Sequence, residues 1–322
     1  MNKDKTFWSG ALGRLILGLL LALVVTVGGA VYCLHSVTHP RRDTTVLDPA
    51  DLLLQTEEVT FKAADGVLLS GWYVRGRFDL PVILLYHDLG GSRLSLLNHA
   101  VPLNRSGYPL FLFDFRGHAR SGGGGSTLGI DERLDVLAAI DYLKTRSKGK
   151  VARFGVWGVG QGGYAAVMAA AENREIEALV LDDLYGEVGT RLEDLLRDRV
   201  PPPLRALVAF LRPLFGPYFG FRPAKFSVAR ALPGLADREI LFIIRKASTG
   251  RYKEGMALYT ALPENAAGEK NLLEIKSSTN EGLYADEKKG YVEAILKFFT
   301  SHLKNEKPSA PGQPKALEVL ER

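Results

Sequence analysis

The sequence predicts an α/β fold with a mostly parallel central sheet, an antiparallel hairpin at its start, helices on both faces and one apolar helix before it. Three observations predict this arrangement. Apolar strand-like segments alternate with helical stretches over most of the chain, two segments of period two flank an Asp-Gly pair, and a long uncharged run lies near the N-terminus. The composition of the 322 residues, 46% hydrophobic and 24% charged, is that of a globular protein.

The uncharged run spans residues 15–34. At about 1.5 Å per residue, a helix of this length crosses a hydrocarbon core about 30 Å thick. We interpret it as a transmembrane anchor, with residues 1–14 as a basic flank and residues 35–55 as a polar linker. A cleaved signal peptide is the alternative, although no A-x-A-like site ends the run. The only cysteine, Cys33, lies in this run, so no intrachain disulfide can form.

The charges that flank the run predict its orientation. Lys3, Lys5 and Arg14 precede the span, whereas Arg41 and Arg42 follow it closely, and the remaining bias favours an N-terminus in the cytoplasm. The expected protein is therefore a single-pass membrane protein whose soluble domain is extracytoplasmic.

The first strands are predicted by alternation. Glu57–Ala63 and Val67–Val74 alternate around Asp65-Gly66, which indicates a β-hairpin. Helical stretches separate the later apolar segments, and such alternation implies right-handed crossovers between parallel strands. These later predicted strands are Val82–Tyr86, Leu110–Phe113, Phe154–Trp157, Ala178–Leu181, Ile240–Ile244 and Leu272–Ile275.

One domain is expected over residues 56–303, with a long insertion at about residues 184–236. Because a structureless loop of that length is rare, we predict a helical cap over the strand ends. Its apolar residues are expected to pack onto the body or touch lipid, or else to close an apolar cavity; they are Phe210, Leu211, Leu214, Phe215, Tyr218, Phe219 and Phe221. Residues 304–322, with three prolines and alternating charges, predict a disordered tail.

Three short motifs carry a family resemblance. Val151–Ala170 is a strand, a glycine-dense turn and a helix, similar to a G-x-S-x-G nucleophile elbow but with Gly160 at the serine position. Phe113–Gly122 resembles a D-x-R-G-H-G-x-S-x-G loop, and Tyr86–Ser92 resembles an H-G-x-G-G-S turn. On these motifs the chain is identified as a member of the α/β-hydrolase superfamily over residues 47–303. It is similar especially to the membrane-anchored, single-span bacterial members.

The resemblance implies a Ser, Asp or Glu, His triad at Gly160, Ser248 and Asn280. All three residues depart from that pattern, since glycine has no side chain to acylate and asparagine is no base near neutral pH. The departures predict a pseudoenzyme that retains a ligand-binding or partner-binding role. A small acyl or ester-like ligand and a protein partner are both expected candidates. The alternative is an active esterase, thioesterase or peptidase that uses non-standard residues.

Polar groups around the elbow are also predicted. The backbone N–H of Gln161 and another near Asp88 correspond to an oxyanion hole, which would hold an anion or a carbonyl oxygen. His87 and His118 are polar neighbours of the site. We expect His87 to pack and hydrogen-bond beside its turn, with a role as a general base as the alternative.

Other site chemistries find no support in the sequence. The six histidines form no HxxxH pair on a predicted helix, so neither a metal site nor any other cofactor is expected. The Gly122–Gly125 run lacks the Lys-Ser or Lys-Thr of a phosphate-binding loop. With a net charge of +5 and no dense basic stripe, nucleic-acid binding is not expected.

Overall fold

The computed structural model describes residues 3–43, 45, 53–220, 225–247, 249–263, 270–277 and 285–303. Five predicted features fall wholly or partly on other positions. Ser248, Asn280, Phe221 and the tail 304–322 lie outside the described residues, as do residues 46–52 of the predicted linker.

The strands form in the segments that apolar and period-two patterns predicted. They are β1 (Thr56–Lys62), β2 (Leu68–Val74), β3 (Val82–Tyr86), β4 (Leu110–Phe113), β5 (Phe154–Val159), β6 (Ile176–Asp182), β7 (Glu239–Arg245) and β8 (Lys270–Ile275). The described residues join them in one eight-stranded sheet of order β1-β2-β4-β3-β5-β6-β7-β8. The pairs β1–β2 and β2–β4 are antiparallel and all the others are parallel. The predicted fold class is therefore confirmed.

Helices cover both faces of the sheet. They are α1 (Lys3–Thr38), α2 (Leu97–Arg105), α3 (Glu132–Arg146), α4 (Gln161–Glu172), α5 (Val188–Arg199), α6 (Arg212–Tyr218), α7 (Val228–Ala231), α8 (Thr249–Ala261) and α9 (Ala285–Leu303). Short 3₁₀ helices span Arg93–Leu96, Pro202–Leu211 and Leu232–Leu235. Buried residues of α3 and α4 belong to one apolar cluster and those of α2 and α9 to another. A parallel sheet covered on both faces explains why β3 and β4 are apolar throughout.

The long connection between β6 and β7 is helical where it is described. It contains α5, the 3₁₀ helix Pro202–Leu211, α6 and α7. Phe215 and Phe219 are buried, whereas Phe210 is 76% exposed. The aromatic residues of this cap therefore divide between packing onto the body and facing outward.

Helix α1 is longer than the apolar run that predicted it. Its segment Leu12–Thr38 is long and apolar enough to cross a membrane, a criterion that a signal sequence near the N-terminus also meets. The helix continues past residue 34 because Leu34 and Val37 are fully buried where α1 packs against the cap. The Thr38 hydroxyl lies 2.8 Å from the Tyr218 hydroxyl. Residues 35–38, which were predicted to belong to a linker, are thus helical and packed on the body.

Candidate functional site

The turn between β5 and α4 has the geometry of an elbow. Gly160 has φ 50° and ψ −109°, in the region of positive φ that favours glycine. Its N–H donates to the Asp182 carbonyl oxygen at 2.8 Å, which holds the turn against the end of β6. A Cβ on Gly162 would lie 2.6 Å from the Tyr86 carbonyl oxygen, so this close approach of β3 to α4 needs glycine. The small residues of the motif therefore build the turn that the sequence predicted.

The Asp88 carboxylate covers the elbow. Asp88 follows β3 and stands where the similar H-G-x-G-G-S turn has its first glycine. Its Oδ1 accepts the Gln161 N–H at 2.8 Å, and its Oδ2 accepts from Arg191 Nη2 of α5 at 3.1 Å. A Cβ on Gly160 would lie 2.2 Å from Asp88 Oδ1. The carboxylate thus fills the space that a nucleophile side chain at residue 160 would need.

The surroundings of Asp88 favour its charged form. Burial raises its pKa, but the Arg191 charge, the Gln161 N–H, the Arg251 charge and the Leu89 N–H together bring the pKa below its usual value. The Gln161 and Leu89 N–H groups at this turn both act on the Asp88 carboxylate. The sequence predicted that these N–H groups would hold an external anion or carbonyl oxygen. In the structure, the carboxylate that they face belongs to the same chain.

A second acidic group lies at the end of β6, beside the elbow. Asp182 is fully buried and accepts from Arg245 Nη2 at 2.8 Å and from the Tyr291 hydroxyl at 2.6 Å. The next residue, Asp183, has φ 56° and forms an ion pair with Arg251 of α8. Sequence reasoning missed these residues. The signal was available, because polar residues at the carboxyl ends of neighbouring parallel strands meet at one edge of the sheet.

Asp183 is expected to make stability depend on pH. Burial raises the pKa of Asp183 to about 6, with the Arg251 charge opposing this and Asp182 and Asp88 adding to it. Because the folded pKa exceeds the unfolded one, about 3.9, the contribution to stability is greatest below pH 4 and is lost as the pH rises through 6.

The variant Asp183→Asn isolates this contribution. We expect the difference in free energy of unfolding, wild type minus variant, to fall by about 2–3 kcal/mol between pH 4 and pH 7. Urea unfolding at each pH measures that difference. A difference that stays constant over this range would contradict the assignment.

Both predicted histidine neighbours are buried and bonded to backbone. His87 Nδ1 lies 2.8 Å from the Asp88 carbonyl oxygen, and His87 Nε2 accepts the Phe115 N–H at 3.1 Å. His118 has the same arrangement, with Nδ1 2.9 Å from the Arg116 carbonyl oxygen and Nε2 accepting the Gly90 N–H. Burial, with the nearby His118, lowers the pKa of His87 to about 3. Through these hydrogen bonds, the two rings join the turn after β3 to the loop after β4.

The loop that resembles D-x-R-G-H is bonded within the body. The Asp114 carboxylate accepts the Arg93 N–H at 2.8 Å. The Arg116 guanidinium pairs with Asp65 at 2.6 Å and with Asp135 at 2.7 Å. These contacts join the loop to the hairpin and to α3. Within the described part of the chain, no group of three or more His, Cys, Asp or Glu side chains is arranged to hold a metal ion.

Comparisons with known proteins agree with the fold. Residues 81–238 match the family model described as the alpha/beta hydrolase fold. The chain is 29% identical over 147 residues to protein YfhR of Salmonella typhimurium, covering 41% of this chain and 50% of the relative. It is 28% identical over 138 residues to the thiohydrolase apmlB of Arthrinium phaeospermum, covering 39% of this chain and 42% of the relative. The chain thus spans about half the length of the curated relatives it matches.

Solved structures resemble the chain over a larger share of its length. The Pyrococcus furiosus esterase Pf2001 superposes with a TM-score of 0.64 at 22% identity, covering 82% of this chain and 99% of the esterase. At this identity the similarity concerns the fold.

Proposed function

Because the chain belongs to the α/β-hydrolase superfamily, we propose that it is a member without triad hydrolase activity, tethered to a membrane by α1 and retaining a binding role at its elbow. In this proposal the fold, the elbow and its N–H donors persist, whereas the covalent chemistry is absent. Fold alone does not imply chemistry, so the proposal depends on the residues at the elbow.

One observation carries the proposal. The Asp88 carboxylate and the missing side chain of Gly160 are complementary, since a Cβ at residue 160 would lie 2.2 Å from Asp88 Oδ1. An acyl transfer enzyme of this fold needs a nucleophile at that position and free N–H donors for a developing oxyanion. Here the nucleophile has no side chain, and the Gln161 N–H already binds a carboxylate. The elbow therefore lacks both the nucleophile and a free Gln161 N–H.

The nearby imidazoles do not offer a substitute base. A general base must reach a proton and have a free nitrogen to accept it. In His87 and in His118 each ring nitrogen is within hydrogen-bonding distance of a backbone group, and Nε2 accepts an N–H. Protonation at Nε2 would break that bond inside the body. These contacts support a structural role for both residues.

The same proposal includes the membrane. The exposed apolar residues of α1 and the packing of Leu34 and Val37 on the body support a tether that holds the domain close to the bilayer. The basic residues before the span support an N-terminus in the cytoplasm and an extracytoplasmic domain.

A fluorophosphonate probe tests the lack of hydrolase chemistry. The full-length protein, purified in detergent, is treated with the probe beside the Pyrococcus furiosus esterase as a positive control. We expect the esterase to be labelled and this protein to remain unlabelled. Gly160→Ser alone is expected to restore no ester turnover, since the base is absent as well as the nucleophile. Labelling of the wild type that disappears when one serine is replaced would establish the alternative, a hydrolase with non-standard residues.

A further inference from the structure

Contact between α1 and the body begins inside the apolar run of the helix. Ala30 is 6% exposed and Leu34 is fully buried, whereas Val24, earlier in the same run, is 66% exposed. The run ends at residue 34, so Ala30 lies about 6 Å inside it along the helix axis. When α1 spans a bilayer, the protein that covers Ala30 therefore lies at the depth of the membrane interface.

The cap contacts this end of α1. The helix packs against α5, and Arg199 Nη1, at the end of α5, donates to the Ser36 carbonyl oxygen at 2.6 Å. The Thr38 hydroxyl contacts the Tyr218 hydroxyl of α6. Helices α5 and α6 are therefore held beside the point at which α1 leaves the membrane.

The elbow is joined to the same point through one residue of the loop after β4. The Ser126 N–H donates to the Thr38 carbonyl oxygen at 2.7 Å. The Ser126 hydroxyl lies 2.7 Å from Oε1 of Gln161, the residue that begins α4. The edge of the sheet that carries the elbow and the cap is thus nearest the membrane, and the edge at which β3 begins is the farther one.

The charges of the cap are of one sign over a long stretch. Residues 199–236 contain no Asp or Glu and six basic residues, which are Arg199, Arg205, Arg212, Arg222, Lys225 and Arg230. Phe210, which is 76% exposed, lies between Arg205 and Arg212. An exposed aromatic ring flanked by arginines fits the headgroup layer of a bilayer, where apolar side chains enter the interface and basic side chains meet anionic phosphates.

We infer that the outer face of the cap, defined as Arg205, Phe210 and Arg212, lies in the headgroup layer beside α1 and binds anionic phospholipids there. Arg205 is exposed, and the Arg212 side chain is 64% exposed. The inference rests on the proposed function, because a spanning α1 is what holds the cap at this depth. The Phe210 ring then enters the boundary between headgroups and acyl chains by about 5–10 Å.

Site-specific quenching in the full-length protein tests the inference. Cys33→Ala removes the native thiol, and Phe210→Cys then carries a single NBD fluorophore. The protein is reconstituted in nanodiscs of phosphatidylcholine and phosphatidylglycerol that contain a lipid with a nitroxide just below its headgroup. We expect this nitroxide to quench the fluorophore at residue 210, because the label lies at the depth of the nitroxide.

Two other labelled positions are controls. Phe78→Cys is matched to Phe210→Cys, since Phe78 is 100% exposed and lies near Arg75 and Arg77, but it precedes β3 at the far edge of the sheet. Its label should remain unquenched. Val24→Cys reports on the tether itself, and a nitroxide near the end of the acyl chain should quench it.

The role of charge is tested with paired substitutions. Arg205→Gln/Arg212→Gln should lower the ratio of contacting to free cap at residue 210 by about fivefold for each arginine lost, and omitting phosphatidylglycerol should act in the same direction. Glu193, the partner of Arg212, keeps Arg197 in this variant. Arg105→Gln/Lys148→Gln removes two exposed charges elsewhere and should leave the quenching unchanged.

The labels separate the possible failures. A quenched residue 24 with an unquenched residue 210 would overturn the inference and leave the tether intact, with the cap free for solvent or a protein partner. Equal quenching at residues 210 and 78, or quenching at residue 210 that is indifferent to phosphatidylglycerol and to the two arginines, would also overturn it. An unquenched residue 24 would refute the tether and the inference together. Fluorophosphonate labelling of the wild type would change neither result.

Discussion

Gly160→Ser is expected to destabilise the full-length protein by about 3 kcal/mol, since it introduces a clash and breaks a charged contact. The new Cβ would lie 2.2 Å from Asp88 Oδ1, a distance that atoms cannot adopt. Asp88 must then move, which takes its carboxylate from the Gln161 N–H and from Arg191. The φ of 50° at residue 160 adds strain for any side chain. Urea unfolding, followed by tryptophan fluorescence, measures the loss.

A second substitution at residue 88 should remove much of this cost. Asp88→Gly supplies the residue found in the similar H-G-x-G-G-S turn and clears the space over residue 160. We expect the double variant Asp88→Gly/Gly160→Ser to be more stable than the sum of its single variants by about 1–3 kcal/mol. Gly189→Ala is the control, because an added Cβ there meets no atom within 4 Å; it should not destabilise the protein, and the higher helix propensity of alanine in α5 should stabilise it by about 0.5–1 kcal/mol. Strict additivity of the two substitutions would contradict the proposed complementarity.

The elbow was predictable because its signal is local. Gly158, Gly160 and Gly162 lie within five residues, between an apolar strand and a helix rich in alanine. The strands were predictable for the same reason, since apolar runs and period-two alternation are properties of neighbouring residues. These features gave the fold and the position of the site.

What fills the elbow was not predictable, because it depends on contacts between distant positions. Asp88 meets Gln161 across 73 positions and Arg191 across 103. In the sequence, Asp88 stands at the first glycine of the H-G-x-G-G-S turn, and only a backbone N–H near it was predicted to belong to the site. Only the folded chain brings its side chain over Gly160. The Asp88 carboxylate therefore occupies the place that a side chain at residue 160 would fill, although the two residues are far apart in the sequence.

The end of α1 illustrates another limit. The uncharged run stops before His35, which suggested a linker from residue 35. The helix continues to Thr38 because Leu34 and Val37, three positions apart, bury the same face against the body. Hydropathy alone measures the lipid-facing part of such a helix. It does not detect the part that packs on protein.

Arg245→Leu is expected to destabilise the protein by about 3–5 kcal/mol, because it leaves a buried carboxylate without its cation. Asp182 is fully buried, and its side chain accepts from Arg245 Nη2 at 2.8 Å. After the substitution, the Tyr291 hydroxyl is its remaining side-chain donor among the described residues. The Asp182 carbonyl oxygen also holds the Gly160 N–H, so the loss acts directly beneath the elbow.

The pH dependence of the deficit and a control variant distinguish the unpaired Asp182 carboxylate from a general loss of packing as the cause of destabilisation. Burial already raises the pKa of Asp182 above its usual value, against the opposing Arg245 charge, and removing that charge raises it further. A folded pKa above the unfolded one gives stability that is present at low pH and lost as the pH rises, so the deficit of Arg245→Leu should shrink in acid. Arg77→Leu, at an ion pair whose arginine side chain is 63% exposed, should leave the free energy of unfolding close to that of the wild type, because solvent screens such a pair. A deficit that is independent of pH would indicate that the missing side-chain volume, rather than the unpaired carboxylate, destabilises the sheet edge that supports Gly160.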